Sequence, residues 1–339
     1  MSLAFLLCVE RGPLEDQSVL LCRSIRRWAG AFADAPIHAY RPREGPGLSE
    51  RGRRELDGLE VFLHEEPLNR EFVDYPMGNK MFACLAAQSQ LGEDVLVFCD
   101  SDSVFTGEPA DLALSDDVDV AARPVGNTGR GSEGAGHEHE PYWRTLYELA
   151  GVEGEGAWVE TANTGERIRG YWNGGLLAVR RASGIYGEWL DLFRLLIAEG
   201  HMPKGSINNM DQLALAGTLA RRPDRVGSLD YRYNYPIPQR AELPGSQRTA
   251  DLDELIHIHY HRWFNRPGFL GLLQPPLGRG TEQYRWLEGH LPLEPTIDEP
   301  LHGQEPPGYE GREGRRRLKA EHGTRKWSFG LAEGVGEDG

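Results

Sequence analysis

The run Val95-Leu96-Val97-Phe98-Cys99 leads directly into Asp100-Ser101-Asp102. A short continuous apolar run of this kind predicts a strand buried on both faces, over Asp94–Cys99. Asp and Ser then break it as a turn. Immediately upstream, Met77–Leu91 predicts an Ala-rich helix that stops at Gly92. The same alternation continues back to the N-terminus. Leu3–Val9, Pro36–Tyr40 and Leu59–His64 predict strands. Asp16–Trp28 and Leu48–Leu56 predict helices, the first with Val19, Leu20, Ile25 and Trp28 apolar and Arg23, Arg26 and Arg27 on the wet side. Strands separated by helices require right-handed crossovers, and so a mostly parallel central sheet covered by helices. The fold class is α/β, and ligands are expected beyond the carboxyl ends of the strands.

Beyond Phe105 the pattern is looser. Val118–Ala122 and Leu176–Val179 predict strands, Tyr142–Ala150, Tyr186–Ala198 and Met210–Leu219 helices, and Leu255–Tyr260 a late alternating strand. Residues 125–140 are rich in glycine and charge and predict a mobile loop. From residue 293 onward proline, glycine and charge dominate. The expected division is a folded unit over residues 1–292 and a disordered tail over residues 293–339, with Arg312–Lys326 a solvated basic run.

The 339 residues are 39% hydrophobic and 26% charged, enough apolar material for a large core, while 42 glycines and 22 prolines call for much loop. The net charge of −15 argues against a nucleic-acid partner, which needs a dense basic face. No apolar run approaches the ~18–20 residues of a bilayer span, and Leu3–Val9 lacks the flanks of a signal peptide. Cys8, Cys22, Cys84 and Cys99 show no metal spacing and read as buried thiols, which makes the cytoplasm the expected compartment.

Asp100 and Asp102 at the end of a parallel strand face the crevice where ligands sit. Two carboxylates two residues apart can hold a hard divalent cation, Mn²⁺ or Mg²⁺, and the cation can bridge a diphosphate. Lys80 is one of four lysines in a chain whose other basic residues are arginine, and it lies on the helix that feeds this strand. A compact ammonium is therefore wanted there. Asn173-Gly174-Gly175 precedes a buried strand, where glycine lets backbone approach a sugar closely. Asp211 and Gln212 open a helix, where an aspartate also serves as a cap. His257, His259 and His261 share one strand face, but Cβ atoms ~7 Å apart space them too widely for one cation. Gly129–Gly134 spells GxGxxG without a following apolar helix, so dinucleotide binding is declined. His137-Glu138-His139-Glu140 reads as a solvated run in the same loop.

The sequence VLVFCDSDSVFTGEP, residues 95–109, resembles the Asp-x-Asp region of nucleotide-sugar glycosyltransferases with the GT-A fold. Further segments resemble, in order, the glycogenin and bacterial galactosyltransferase family (family 8-like): Tyr171–Leu177, Asn208–Gln212 and Ile256–Tyr260. The resemblance covers roughly residues 1–270. It implies a UDP-sugar donor, an unidentified hydroxyl acceptor (glycan, protein or small molecule) and retention of configuration. It also implies a cation held by Asp100, Asp102 and His259, and catalytic roles for Asp211, Gln212 and Asn173. Donor contacts fall to Lys80, Ser101, Gly174, Gly175, and to Glu10 and Arg11 at the end of the first strand. The family's closing Gly-x-x-Lys-Pro-Trp is replaced by His261–Pro267, in which Arg266 stands where the lysine would be. Three alternatives stay open: a haloacid-dehalogenase-type phosphatase using Asp100 and Asp102, a sugar-nucleotide pyrophosphorylase on a related sheet, and a non-catalytic nucleotide-sugar-binding protein.

Overall fold

The chain runs through strand and helix in the expected order, and the computed structural model describes residues 1–203 and 209–293. The first half contains β1 (Leu3–Cys8), α1 (Pro13–Trp28), β2 (Ile37–Tyr40), α2 (Glu50–Gly58), β3 (Val61–His64), α3 (Gly78–Gln90), β4 (Val95–Cys99), β5 (Ser103–Phe105) and β6 (Val120–Pro124). It continues with α4 (Glu140–Ala150), β7 (Trp158–Glu160), β8 (Arg167–Arg169), β9 (Trp172–Arg180), α5 (Ile185–Ala198), α6 (Met210–Ala220), β10 (Val226–Ser228), β11 (Tyr235–Pro236) and β12 (His257–His259).

A seven-stranded sheet in the order β10-β6-β9-β4-β1-β2-β3 forms the centre. Side chains alternate across it, and so does the core. Ala4, Leu6, Leu96, Phe98, Leu177 and Val179 pack against α3, α4, α5 and α6. Phe5, Leu7, Val95, Val97, Leu176 and Ala178 pack against α1 and α2. The two-residue period of a strand thus distributes one apolar run over two helical layers.

Four of the six ladders are parallel, and β9 is the exception, antiparallel to both β4 and β6. Reversal brings the start of β9 to the edge where β4 ends. Leu176 pairs with Cys99, and the Asp100 amide donates to the Gly175 carbonyl at 2.8 Å. A smaller sheet, β11-β12-β5, grows from the turn that follows β4. Its register sets His259 opposite Ser103.

The segment over residues 125–140 is built of turns, and it is anchored rather than loose. Ser132 and Glu140 are buried, and Ser132 donates to the Glu140 carboxylate at 2.7 Å. Glu140 in turn accepts from buried Arg169 on β8, at 2.9 and 2.5 Å. The expected solvated His-Glu-His-Glu run therefore ends in a buried ion pair, because an arginine 29 residues later lies under it. Leu293 is buried and its amide donates to the Phe264 carbonyl, so packing continues through that residue. Residues 294–339, with the basic run, and residues 204–208, with Asn208, lie outside the described residues.

Candidate active site

The candidate residues meet at the carboxyl edge of the central sheet because two strands end there and a third, reversed, begins there. β1 delivers Glu10, β4 delivers Asp100 and Asp102, and the reversed β9 delivers Asn173 to Gly175. The first turn of α3 adds Lys80, and the first turn of α6 adds Asp211 and Gln212.

Lys80 is 6% exposed. Its Nζ donates to Asp100 Oδ1 at 2.9 Å and to the Gly174 carbonyl at 3.4 Å, and lies 3.6 Å from Asp211 Oδ2. Burial opposes its charge, but the two carboxylates outweigh burial and raise its pKa. Asp211 does not act as a helix cap. Its Oδ1 accepts from the Tyr75 hydroxyl at 2.8 Å, and its own amide donates back to the Tyr75 oxygen at 3.3 Å. Tyr75 is buried and stacked on Phe193, so the clamp is rigid. Sequence reading missed Tyr75, whose only signal was an aromatic residue in a polar loop just before α3.

Gly175 has no room for a side chain. A Cβ there would lie 2.9 Å from Asp100 Oδ2, 2.9 Å from Asn173 Oδ1 and 3.3 Å from His259 Cε1. A Cβ on Gly174 would touch Gln212 at 3.6 Å and Asp211 at 3.8 Å. The Asn173 carboxamide oxygen accepts from the Gly175 amide and from Asn234 Nδ2, each at 2.8 Å.

The histidines separate into two kinds. His257 is fully buried and contacts the Ser103 hydroxyl through Nε2 at 2.9 Å; burial pushes its pKa down to about 3. His259 Nε2 lies 3.0 Å from Asp102 Oδ1, and its Nδ1 lies 3.1 Å from Asn234 Oδ1. β12 ends at His259, and His261 adopts a φ of 53°, which departs from strand alternation. This turn brings the His261 ring to 4.2 Å from that of His259, with Nδ1 3.6 Å from Asp102 Oδ2. One ligand atom each from Asp102, His259 and His261 lies within 4.8 Å of the others. The expected spacing of the three histidines along one strand face therefore fails at His261. Asp100 gives Oδ1 to Lys80, while its Oδ2 and His259 Cε1 flank the same space over Gly175. Burial opposes charge on Asp102, but His259 and His261 outweigh it and hold the carboxyl well below the usual range. Burial likewise opposes a proton on His259, and Asp102 overcomes it, so its pKa is raised.

The donor set is one carboxylate and two imidazoles in a partly buried pocket. Mixed oxygen and nitrogen donors fit a divalent transition ion such as Mn²⁺ better than Mg²⁺, which prefers oxygen alone.

Glu10 is held by Arg43 through two contacts of 2.6 Å and by Asn79 at 2.8 Å. With Arg11, Arg41, Asn69 and Arg70 it lines a cavity of about 680 Å³ next to the helix that carries Lys80. The Ser101 hydroxyl is committed to the Cys8 carbonyl. Arg266 is half-buried just past the turn Trp263–Asn265, seven residues beyond His259.

Residues 5–222 match the Rhodobacterales glycosyltransferase domain. The chain belongs to that family. It is accordingly a transferase enzyme. The galactosyltransferase LgtC, solved in complex with donor and acceptor sugar analogues, shares this glycosyltransferase's fold with a TM-score of 0.51 at 15% identity, over 86% of this chain and 96% of its own. An active-site mutant of LgtC, with glutamine replaced by glutamate, gives 0.50 at 16% identity over the same shares. WbbM, a bifunctional glycosyltransferase in its apo form, gives 0.49 at 14% identity over 86% of this chain, which spans 52% of WbbM. No curated protein sequence matches the chain. Among the described residues, no helix is long and apolar enough to cross a membrane.

Proposed function

We propose that this glycosyltransferase moves a sugar from a nucleoside diphosphate donor, a UDP-sugar, to a hydroxyl acceptor with retention, and that it needs a divalent cation. One observation carries the reading. The Asp102, His259 and His261 cluster and the Lys80–Asp100–Asp211 group, with Lys80 and Asp211 buried, stand side by side at one sheet edge, where Gly175 leaves no room for a side chain.

A cation bound by Asp102, His259 and His261, with Asp100 near it, would supply Lewis-acid neutralisation of the departing diphosphate. Lys80 adds fixed positive charge beside that group without needing to move. Asp211, clamped by Tyr75, and Gln212 beside Gly174 hold the transferred sugar, and Asn173 braces the loop against which it lies. The cavity beside Glu10 and Arg11 takes the nucleoside, and Arg266, which stands where the family's diphosphate-contacting lysine would be, is assigned to the diphosphate. Ser101 contributes by tying the aspartate turn to β1. Uridine as the base follows from the motif resemblance to the glycogenin and galactosyltransferase family. The acceptor is a glycan, protein or small molecule; the acidic chain does not suit a nucleic-acid partner. Four unpaired cysteines suit the cytoplasm. The catalytic unit is the packed chain through Leu293, and the remainder is a dispensable tail.

The phosphatase alternative places its aspartates after a first strand, whereas here they follow β4 and face Lys80 and His259. The test is a hydrolysis screen of UDP-, GDP- and ADP-sugars with Mn²⁺ or Mg²⁺. Sugar release from a UDP-sugar with Mn²⁺, stopped by a chelator, is expected. Proton NMR of the first product should show the retained anomer. Release that is indifferent to the chelator would overturn the metal dependence.

A further inference from the structure

The hydrogen-bond chain behind His259 begins at a group whose polarity admits no choice. The Gly175 backbone N–H can only donate, and it donates to Asn173 at 2.8 Å. The Asn173 atom it meets is therefore the carboxamide oxygen. The side chain of Asn234 meets that same oxygen at 2.8 Å, so it presents its NH₂ there. Its own oxygen must then face His259 Nδ1, at 3.1 Å. An amide oxygen only accepts, so Nδ1 of His259 carries the proton. Nε2 faces the Asp102 carboxylate at 3.0 Å, where a proton joins the two in the metal-free protein and a cation would take that proton's place.

Asn234 is built to be rigid. It is 3% exposed and has a φ of 47°. Its backbone carbonyl accepts from buried Arg123 at 3.0 Å. It directly precedes β11, whose pairing with β12 sets Pro236 beside His259. His257, two residues earlier on the same strand, is set the other way. The Ser103 hydroxyl spends its proton on the Asp100 carbonyl at 2.6 Å, so at 2.9 Å it must accept from His257 Nε2.

We infer that Asn234 is a positioning residue that holds the proton of His259 on Nδ1 and so leaves Nε2, beside Asp102, as the nitrogen that gives up its proton to a cation. The inference rests on the reading of His259 as a ligand. A metal-bound imidazole needs its other nitrogen held by an acceptor, and loss of that acceptor commonly weakens metal binding about 10–100-fold. Sequence offered little signal for it: Asn234 is a lone amide in the aromatic stretch Tyr231–Tyr235.

The experiment uses full-length, metal-free protein labelled with ¹⁵N at histidine. Long-range ¹H–¹⁵N spectra are taken across a pH series, because each ring nitrogen reports its own proton whether the ring is charged or neutral. The His259 signals are assigned by their loss in His259→Gln. A protonated Nδ1 is expected for His259 throughout, and the Nε2–H pattern with a bare Nδ1 for His257 as an internal contrast. An Nε2–H pattern with a bare Nδ1 at His259 overturns the role, and the reading needs no Asn234 variant. Asn234→Gly then removes the carboxamide while suiting the positive φ. Mn²⁺ alone, titrated by the electron-spin resonance of the free ion, should bind about 10–100-fold more weakly. Retention of wild-type affinity in a cooperatively melting Asn234→Gly protein also overturns the role. A wild type that takes up no Mn²⁺ but shows the expected tautomer fails the metal reading and with it the purpose assigned to Asn234. The spectra and the titration thus separate the two failures.

Discussion

Two stretches of this chain concentrate carboxylate and histidine-type chemistry: residues 100–102 with their partners, and residues 129–140. In both, a buried cation meets a carboxylate, half-buried in the first and buried in the second. Lys80 pairs with Asp100, and Arg169 pairs with Glu140. The second pair is complete. Arg169 places two nitrogens on Glu140, Ser132 fills a further position, and the guanidinium stacks near Tyr147 and Trp158. Its chemistry is spent on holding β8 to the start of α4. The first group is left open. Lys80 is shared between two carboxylates, Asp102 faces two imidazoles, and the glycine beside Asp100 and His259 admits no side chain. Charge that is fully satisfied by the protein stabilises it; charge arranged with a gap is available to a ligand.

This contrast can be broken by substitution. Asp102→Asn keeps the shape and removes the shared charge. Sugar release with Mn²⁺ should fall about a thousand-fold, matching the several kcal/mol of charge stabilisation that a metal supplies. Wild-type turnover in this variant would place the site elsewhere. Lys80→Met leaves buried Asp211 and half-buried Asp100 without their cation. It should cost about 3–5 kcal/mol in chemical denaturation and also disable turnover in the protein that remains folded. Glu140→Gln is the matching cut in the second region. It should cost a similar ~3 kcal/mol, because Arg169 loses its partner, while the folded fraction keeps its turnover within about threefold. Equal losses of activity in Lys80→Met and Glu140→Gln would erase the distinction.

A finer cut sharpens it. Tyr75→Phe removes only the hydroxyl that clamps Asp211 and should lower kcat about tenfold, with a stability loss of about 1–3 kcal/mol for the unmet acceptor. The smallest effect is in pH dependence, where the two regions act with opposite sign. Asp102 raises the His259 pKa above its ordinary 6.5 despite burial. The folded chain therefore binds that proton more tightly, and this contribution is complete below about 6.5 and lost as pH rises through the folded value. Glu140 is lowered from 4.5 to about 2, chiefly by Arg169, so its contribution is complete above 4.5 and lost as pH falls toward 2. Urea denaturation of metal-free protein across pH should show both slopes. His259→Gln should flatten the first alone and Glu140→Gln the second alone. Mn²⁺ affinity should rise over the same range in which His259 gives up its proton.

The alternation of apolar strands with amphipathic helices determined the layered α/β architecture, since a run such as Val95–Cys99 has no stable place except between two helical layers. It also determined that Asp100 and Asp102 stand at a strand's carboxyl end, and it singled out Lys80, which the structure buries against Asp100. Local pattern could not decide strand direction. β9 reads as an apolar strand in either sense, and only its pairing with β4 and β6 carries Asn173–Gly175 to the aspartates. Nor could it decide which histidines meet. Period-two spacing holds His257, His259 and His261 apart, and the single left-handed residue His261 undoes it. Tyr75, Asn234 and the Glu140–Arg169 pair were invisible for the same reason. Each acts on a partner more than twenty residues away, at distances of 2.5 to 3.1 Å that chain packing sets and that no local periodicity encodes.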